Sequence, residues 1–160
     1  MTAARRLVGA ALVVLVAGSL YQLAVGLELV PLGDEPGEGP PLDDLFFLVP
    51  VYTLILGGVV LVLATLTPSR AAALSRHRAL RAMPIAAAAF PLCRAFAFDP
   101  YYLPTEERFR GVEPVWLGLL AVLAIGTTVL AARRPGPAAV GLTAVVMVAS
   151  GLVAVGEGLH

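Results

Sequence analysis

Residues 67–98 read TPSRAAALSRHRALRAMPIAAAAFPLCRAFAF, and the threading of this stretch decides the fold. Its first half carries Arg70, Arg76, Arg78, Arg81 and His77, with no acid. Its second half, Ala82 to Phe98, is an apolar run at the lower edge of bilayer-spanning length, and it holds Pro84, Pro91 and Arg94. Proline is tolerated in a membrane helix where neighbouring groups satisfy the freed carbonyl. The flanking charges settle the matter. If residues 82–98 did not cross, the arginines before them and Arg133-Arg134 would lie on opposite faces of the membrane. If they do cross, all the arginine-rich segments share one face and all the acidic segments share the other. The stretch therefore reads as a third membrane span.

The same sorting runs through the whole chain. The basic segments are Arg5-Arg6, Arg70 to Arg81 and Arg133-Arg134; the acidic ones are Glu28 to Asp44, Asp99 to Glu113, and Glu157. They alternate, with one apolar stretch of spanning length between neighbours. The expected spans are about residues 7–27, 45–66, 82–98, 114–132 and 137–156. This predicts an all-α integral membrane protein, a bundle of five transmembrane helices forming one domain over residues 1–160. Eight of the eleven arginines, and no acid, fall on one face. The positive-inside rule makes that face cytoplasmic, with the N-terminus inside and the C-terminus outside. A signal peptide is the competing reading of the first run, because Arg5-Arg6 precede it and Ala24-Val25-Gly26 resembles a cleavage site. The run exceeds a typical signal core and more spans follow, which favours an uncleaved helix.

Composition agrees. The chain is 59% hydrophobic and 14% charged, against about 25% charged in soluble domains. All its basic residues are Arg and none is Lys, in a background of Ala, Gly, Val and Leu, which points to a GC-rich bacterial genome. The zero net charge hides the sorting and gives no ground for a nucleic-acid partner. The single cysteine, Cys93, excludes an intramolecular disulfide or a CxxC redox centre and reads as a small buried hydrophobe.

Local signals fill in the connections. Glu28 to Asp44 is rich in Pro, Gly and acid and reads as a flexible loop. Its acids lack EF-hand spacing. In the second span Pro50 falls in the first turns, and Gly57-Gly58 offers a flat patch for close helix approach. Ser69 is placed to cap a short helix before the third span. His77 reads as a solvated loop residue, with no second histidine or metal spacing nearby. Tyr101, Tyr102, Phe109 and Trp116 suit an interfacial belt, and Thr105 is placed to cap one turn. Ser150, Ala154 and Gly158 have the four-residue spacing of a packing face in the fifth span.

Arg94 is the one charge placed inside the hydrocarbon. A mid-membrane Arg costs about 2.5 to 3.5 kcal/mol, so it calls for a partner or an escape route. At about 6 Å below the outer end by helical rise it can snorkel to the headgroups, or reach Glu113, Asp43, Asp44 or Glu28 at the outer helix ends. Three readings follow: an ion pair fixing the third helix, a snorkelling side chain, or an outward-facing pocket that holds an anionic group. Pro91, one turn earlier on the same face, frees a carbonyl nearby. Tyr21, Gln22, Tyr52 and Thr53 are placed to line the same region. The candidate site is therefore Arg94, Glu113, Asp44 and Glu28, as a ligand-binding or structural ion pair.

The chain has no GxxxxGK[ST] loop, no HExxH, no Ser-His-Asp set and no paired carboxylates within a span. The central parts of the first, second, fourth and fifth spans hold no ionisable residue, where an ion-coupled transporter would usually carry one. No cofactor is indicated. Gly57-Gly58, Arg94 and Glu113, spread over residues 45 to 132, resemble a group of small uncharacterised bacterial multi-span proteins classed as a domain of unknown function. The chain departs from that group in its long acidic first loop and its fifth span. The resemblance implies an Arg94–Glu113 pairing and no particular activity.

The expectation is a bacterial plasma-membrane component without enzymatic activity that binds a lipid, a small hydrophobic ligand or a partner membrane protein. The alternatives are a small oligomeric transporter or channel subunit and an outer-leaflet lipid-modifying enzyme. Expected partners are membrane lipids, a second copy of the chain or another membrane protein.

Overall fold

Five helical segments of 19 to 24 residues are long and apolar enough to cross a bilayer. The computed structural model describes residues 2–30, 42–102 and 114–158, and the side chains of 3–30, 42–96 and 115–156. The helices are α1 (Thr2–Gly26), α2 (Asp43–Thr65), α3 (Pro68–Ser75), α4 (Arg78–Tyr102), α5 (Pro114–Arg133) and α6 (Pro137–Gly158). All but α3 are candidate spans, and the third of them is α4, which runs unbroken through Pro84, Pro91 and Pro100.

The helix starts differ from those read off hydropathy. α4 begins at Arg78 rather than Ala82, because Arg, Ala and Leu sustain helix in the headgroup region, where apolarity is not required. α2 begins at Asp43, so Asp43 and Asp44 form its first turn and do not belong to the loop before it. Acids there face the positive end of the helix dipole. Leu42 precedes them with φ 63°, a left-handed turn that redirects the chain into the helix. The cap of α3 is Thr67 with Pro68 at the first helical position, and not Ser69. Proline fits there because the first N–H has no partner in the helix anyway. Residues 31–41, Thr105, Phe109 and Glu113 lie outside the described residues, as do the side chains of Tyr101 and Tyr102.

Close backbone approaches fix the helix directions. A Cβ at Gly18 of α1 would meet Pro50 of α2 at 2.5 Å and Phe90 of α4 at 3.2 Å. One turn on, Gln22 bonds to Arg94, with the same offset along the chain as Gly18 and Phe90, so α1 and α4 run parallel. Gln22 also bonds to Asp43, so α2 runs antiparallel to α1. A Cβ at Gly58 would lie 2.6 Å from Val148 and 3.1 Å from the Ala144 carbonyl, and one at Gly151 would lie 2.8 Å from Ile55. These contacts make α2 and α6 antiparallel and confirm Gly57-Gly58 as a close-packing patch, with Ser150 and Ala154 fully buried on α6.

α1, α2, α6 and α4 thus form a ring around Leu15, Leu54, Phe90 and Met147, all fully buried, while α5 flanks α4 and α6. α4 is the least apolar span, yet half of its most apolar stretch is buried, against 28% for those of α1 and α2. Its small residues Ala86, Ala87 and Ala88 let neighbours close over it, so its polar content is shielded from lipid. These directions gather Arg5, Arg6, α3 with its flanking arginines, and the Arg133–Gly136 turn at one end of the bundle. Glu28, Asp43 and Asp44 lie at the other end.

Candidate functional site

Helical periodicity builds a polar cluster near the acidic end. On α4, Phe90 and Arg94 are one turn apart and share a face. On α1, Gly18 and Gln22 do the same, and the two faces meet. The missing side chain at Gly18 admits Phe90 and Pro50, which brings α1, α2 and α4 close enough for side chains to meet one turn further on.

There Arg94, 7% exposed, directs Nη1 at Asp43 Oδ1 at 2.6 Å. The same nitrogen donates to Gln22 Oε1 at 3.2 Å. Gln22, fully buried, closes the triangle by donating from Nε2 to Asp43 Oδ1 at 3.2 Å. Three helices therefore meet in one hydrogen-bonded set, with Gln22 from α1, Asp43 from α2 and Arg94 from α4. The guanidinium carbon also sits 4.4 Å from the ring centre of Phe47, a cation–π contact. Phe47 is backed by Phe90 at 6.3 Å, and Tyr21 stacks on Phe46 at 4.3 Å, which ties α1 to α2 beside the triangle.

Burial makes this arrangement strong in one sense and conditional in another. Away from water, the attraction between guanidinium and carboxylate is large, but so is the cost of desolvating each. The pair holds because Gln22 and Phe47 supply further favourable contacts to the same groups. Removing one partner would leave the other charge buried and uncompensated.

No protein-family model, no curated protein and no solved structure is similar to the chain. The cluster's chemistry is therefore the only guide to its role. Among the described residues, no three His, Cys, Asp or Glu side chains come together as a metal-binding group.

Of the residues singled out in the sequence, Arg94 lies at the centre of the cluster, and Gln22 and Asp43 are its partners. Asp44 is exposed, and Glu28 is exposed with φ 59° just beyond α1; neither forms an ion pair among the described residues. Glu113 lies outside the described residues. Tyr52 points away, 60% exposed, and Thr53 donates to its own helix at the Val49 carbonyl. Phe47 carried no signal in the sequence, because an aromatic among apolar neighbours looks like any lipid-facing residue. Its place one turn after Asp43 becomes informative only once the start of α2 is known.

Proposed function

We propose that this chain is a non-enzymatic multi-pass membrane component that acts by binding. It recognises a lipid, a small hydrophobic ligand or a partner membrane protein through apolar surface. We further propose that it resides in a bacterial plasma membrane with its arginine end in the cytoplasm and its C-terminus outside.

One observation carries the reading. The Arg94 guanidinium, the charge best placed to hold an anionic ligand within the spans, is occupied by Asp43, Gln22 and Phe47. That favours the structural role of Arg94 over an anion pocket and leaves apolar side chains to meet whatever approaches from the bilayer. Leu20, Leu56, Val60, Leu119, Val122 and Ile125 are exposed examples on α1, α2 and α5.

Native mass spectrometry of protein released in mild detergent tests this. The expected result is a bound apolar species or a discrete assembly that persists when Arg94→Met and Asp43→Leu are combined. Loss of that species from a folded double variant would mean that Arg94 holds an anion, and the reading fails. Solute flux across liposomes, or turnover of lipid headgroups by the purified protein, would overturn it in favour of a channel subunit or an enzyme.

A further inference from the structure

We propose that the α3–α4 corner, at the arginine end of the bundle, binds the phosphate of an anionic phospholipid headgroup. The corner lies at the opposite end from the Arg94 cluster. The inference rests on the chain spanning a bilayer and is independent of the binding reading above.

The first support is an unmet charge. Arg5, Arg6, Arg70, Arg76, Arg78, Arg81, Arg133 and Arg134 gather at this end. Among the described residues, none of them pairs with a carboxylate. The sequence has no acid between Asp44 and Asp99, or between Glu113 and Glu157, that could serve. Counter-charge must come from outside the chain, and at the end of a membrane span the nearest abundant anion is a lipid phosphate.

The second support is position. α3 ends at Ser75 and α4 begins at Arg78, so Arg76, His77, Arg78 and Arg81 crowd one junction. Arg81 lies one helical turn from Arg78 in α4, at the spacing that places side chains on a common face, and His77 immediately precedes the helix. The junction is built into the bundle. Ala71 and Ser75 of α3 and Leu80 of α4 are fully buried, and α3 packs on α6.

The third support is unused hydrogen-bonding capacity. His77 Nδ1 and Arg81 Nε are enclosed and have no partner. Buried polar atoms are nearly always paired, and leaving one unpaired costs about 1 to 3 kcal/mol. The outer nitrogens of Arg81 are not enclosed and have no protein acceptor either. A phosphate oxygen seated on those nitrogens gives the guanidinium the planar, charge-assisted acceptor that it lacks. The positive end of the α4 dipole adds to the same field.

The test uses the full chain in phosphatidylcholine nanodiscs doped with phosphatidylglycerol, with retained lipid counted by native mass spectrometry. Wild type should retain phosphatidylglycerol over phosphatidylcholine by about tenfold, and Arg81→Gln should remove most of that preference. Arg133→Gln with Arg134→Gln should lower it less than Arg81→Gln does, although two charges are lost. If losses follow only the number of arginines removed, the field is diffuse and the site does not exist. Equal retention of the two lipids overturns the proposal outright. Inorganic phosphate that binds in pure phosphatidylcholine discs and displaces phosphatidylglycerol would assign the corner to free phosphate and overturn the lipid assignment. Should Arg81→Gln lower the melting temperature, Arg81→Lys keeps the charge and stem and should still lose the preference.

Discussion

Replacing Asp43 with Asn keeps a hydrogen-bond acceptor beside Arg94 and removes only the negative charge, so it isolates the electrostatic part of the cluster. Breaking a buried pair from one side costs about 3 to 5 kcal/mol, because the remaining charge stays desolvated. Asp43→Asn and Arg94→Ala should therefore each destabilise the bundle markedly in thermal unfolding in detergent, while Asp44→Asn should leave the transition where it is. The combined Arg94→Met and Asp43→Leu chain should recover most of the loss. If it melts as low as the single variants, the cluster stabilises through something other than its charges. Arg94 was legible in the sequence because a lone charge in an apolar run demands an explanation. Its partner was not. Asp43 and Asp44 are adjacent, and a helix turns about 100° between them, so only the true start of α2 says which one faces inward.

Glycines give the sharpest predictions for the helices as elements. Gly58→Ala places a methyl 2.6 Å from Val148 and 3.1 Å from the Ala144 carbonyl, and neither a β-branched side chain nor backbone yields easily. Gly18→Ala meets the Pro50 ring at 2.5 Å. Each should destabilise by about 1 to 3 kcal/mol through overpacking. Gly118→Ala and Gly126→Ala on α5 meet nothing within 4 Å and should stabilise by about 0.5 to 1 kcal/mol, since alanine is the better helix former. Chemical-denaturation midpoints of the four variants check the contrast, and equal effects on α2 and α5 would refute the packing account. The Gly57-Gly58 pair could be read from sequence because paired glycines in a span are unusual. Gly18 could not, since its significance depends on Pro50 and Phe90 arriving from two other helices.

For the molecule as a whole, the proposed orientation has a direct check through its single cysteine. In a Cys93→Ala background, Leu29→Cys marks the acidic end and Ser69→Cys the arginine end, both at exposed positions. A membrane-impermeant maleimide applied to intact cells should label position 29 and should reach position 69 only after permeabilisation. The reverse pattern would invert the orientation. The number of spans was legible because charge sorting acts at helix ends and needs no knowledge of contacts. The order of helices around the ring was not, since it depends on which small residues meet. That order has a consequence for how the protein is made. Gln22 and Asp43 leave the ribosome well before Arg94, so the most polar span reaches the membrane when its acceptors are already there. The arginine enters as the second half of a pair and not as a lone charge seeking one. Exchanging the two charges would keep that order, because position 94, the deeper of the two, would still follow position 43 into the membrane.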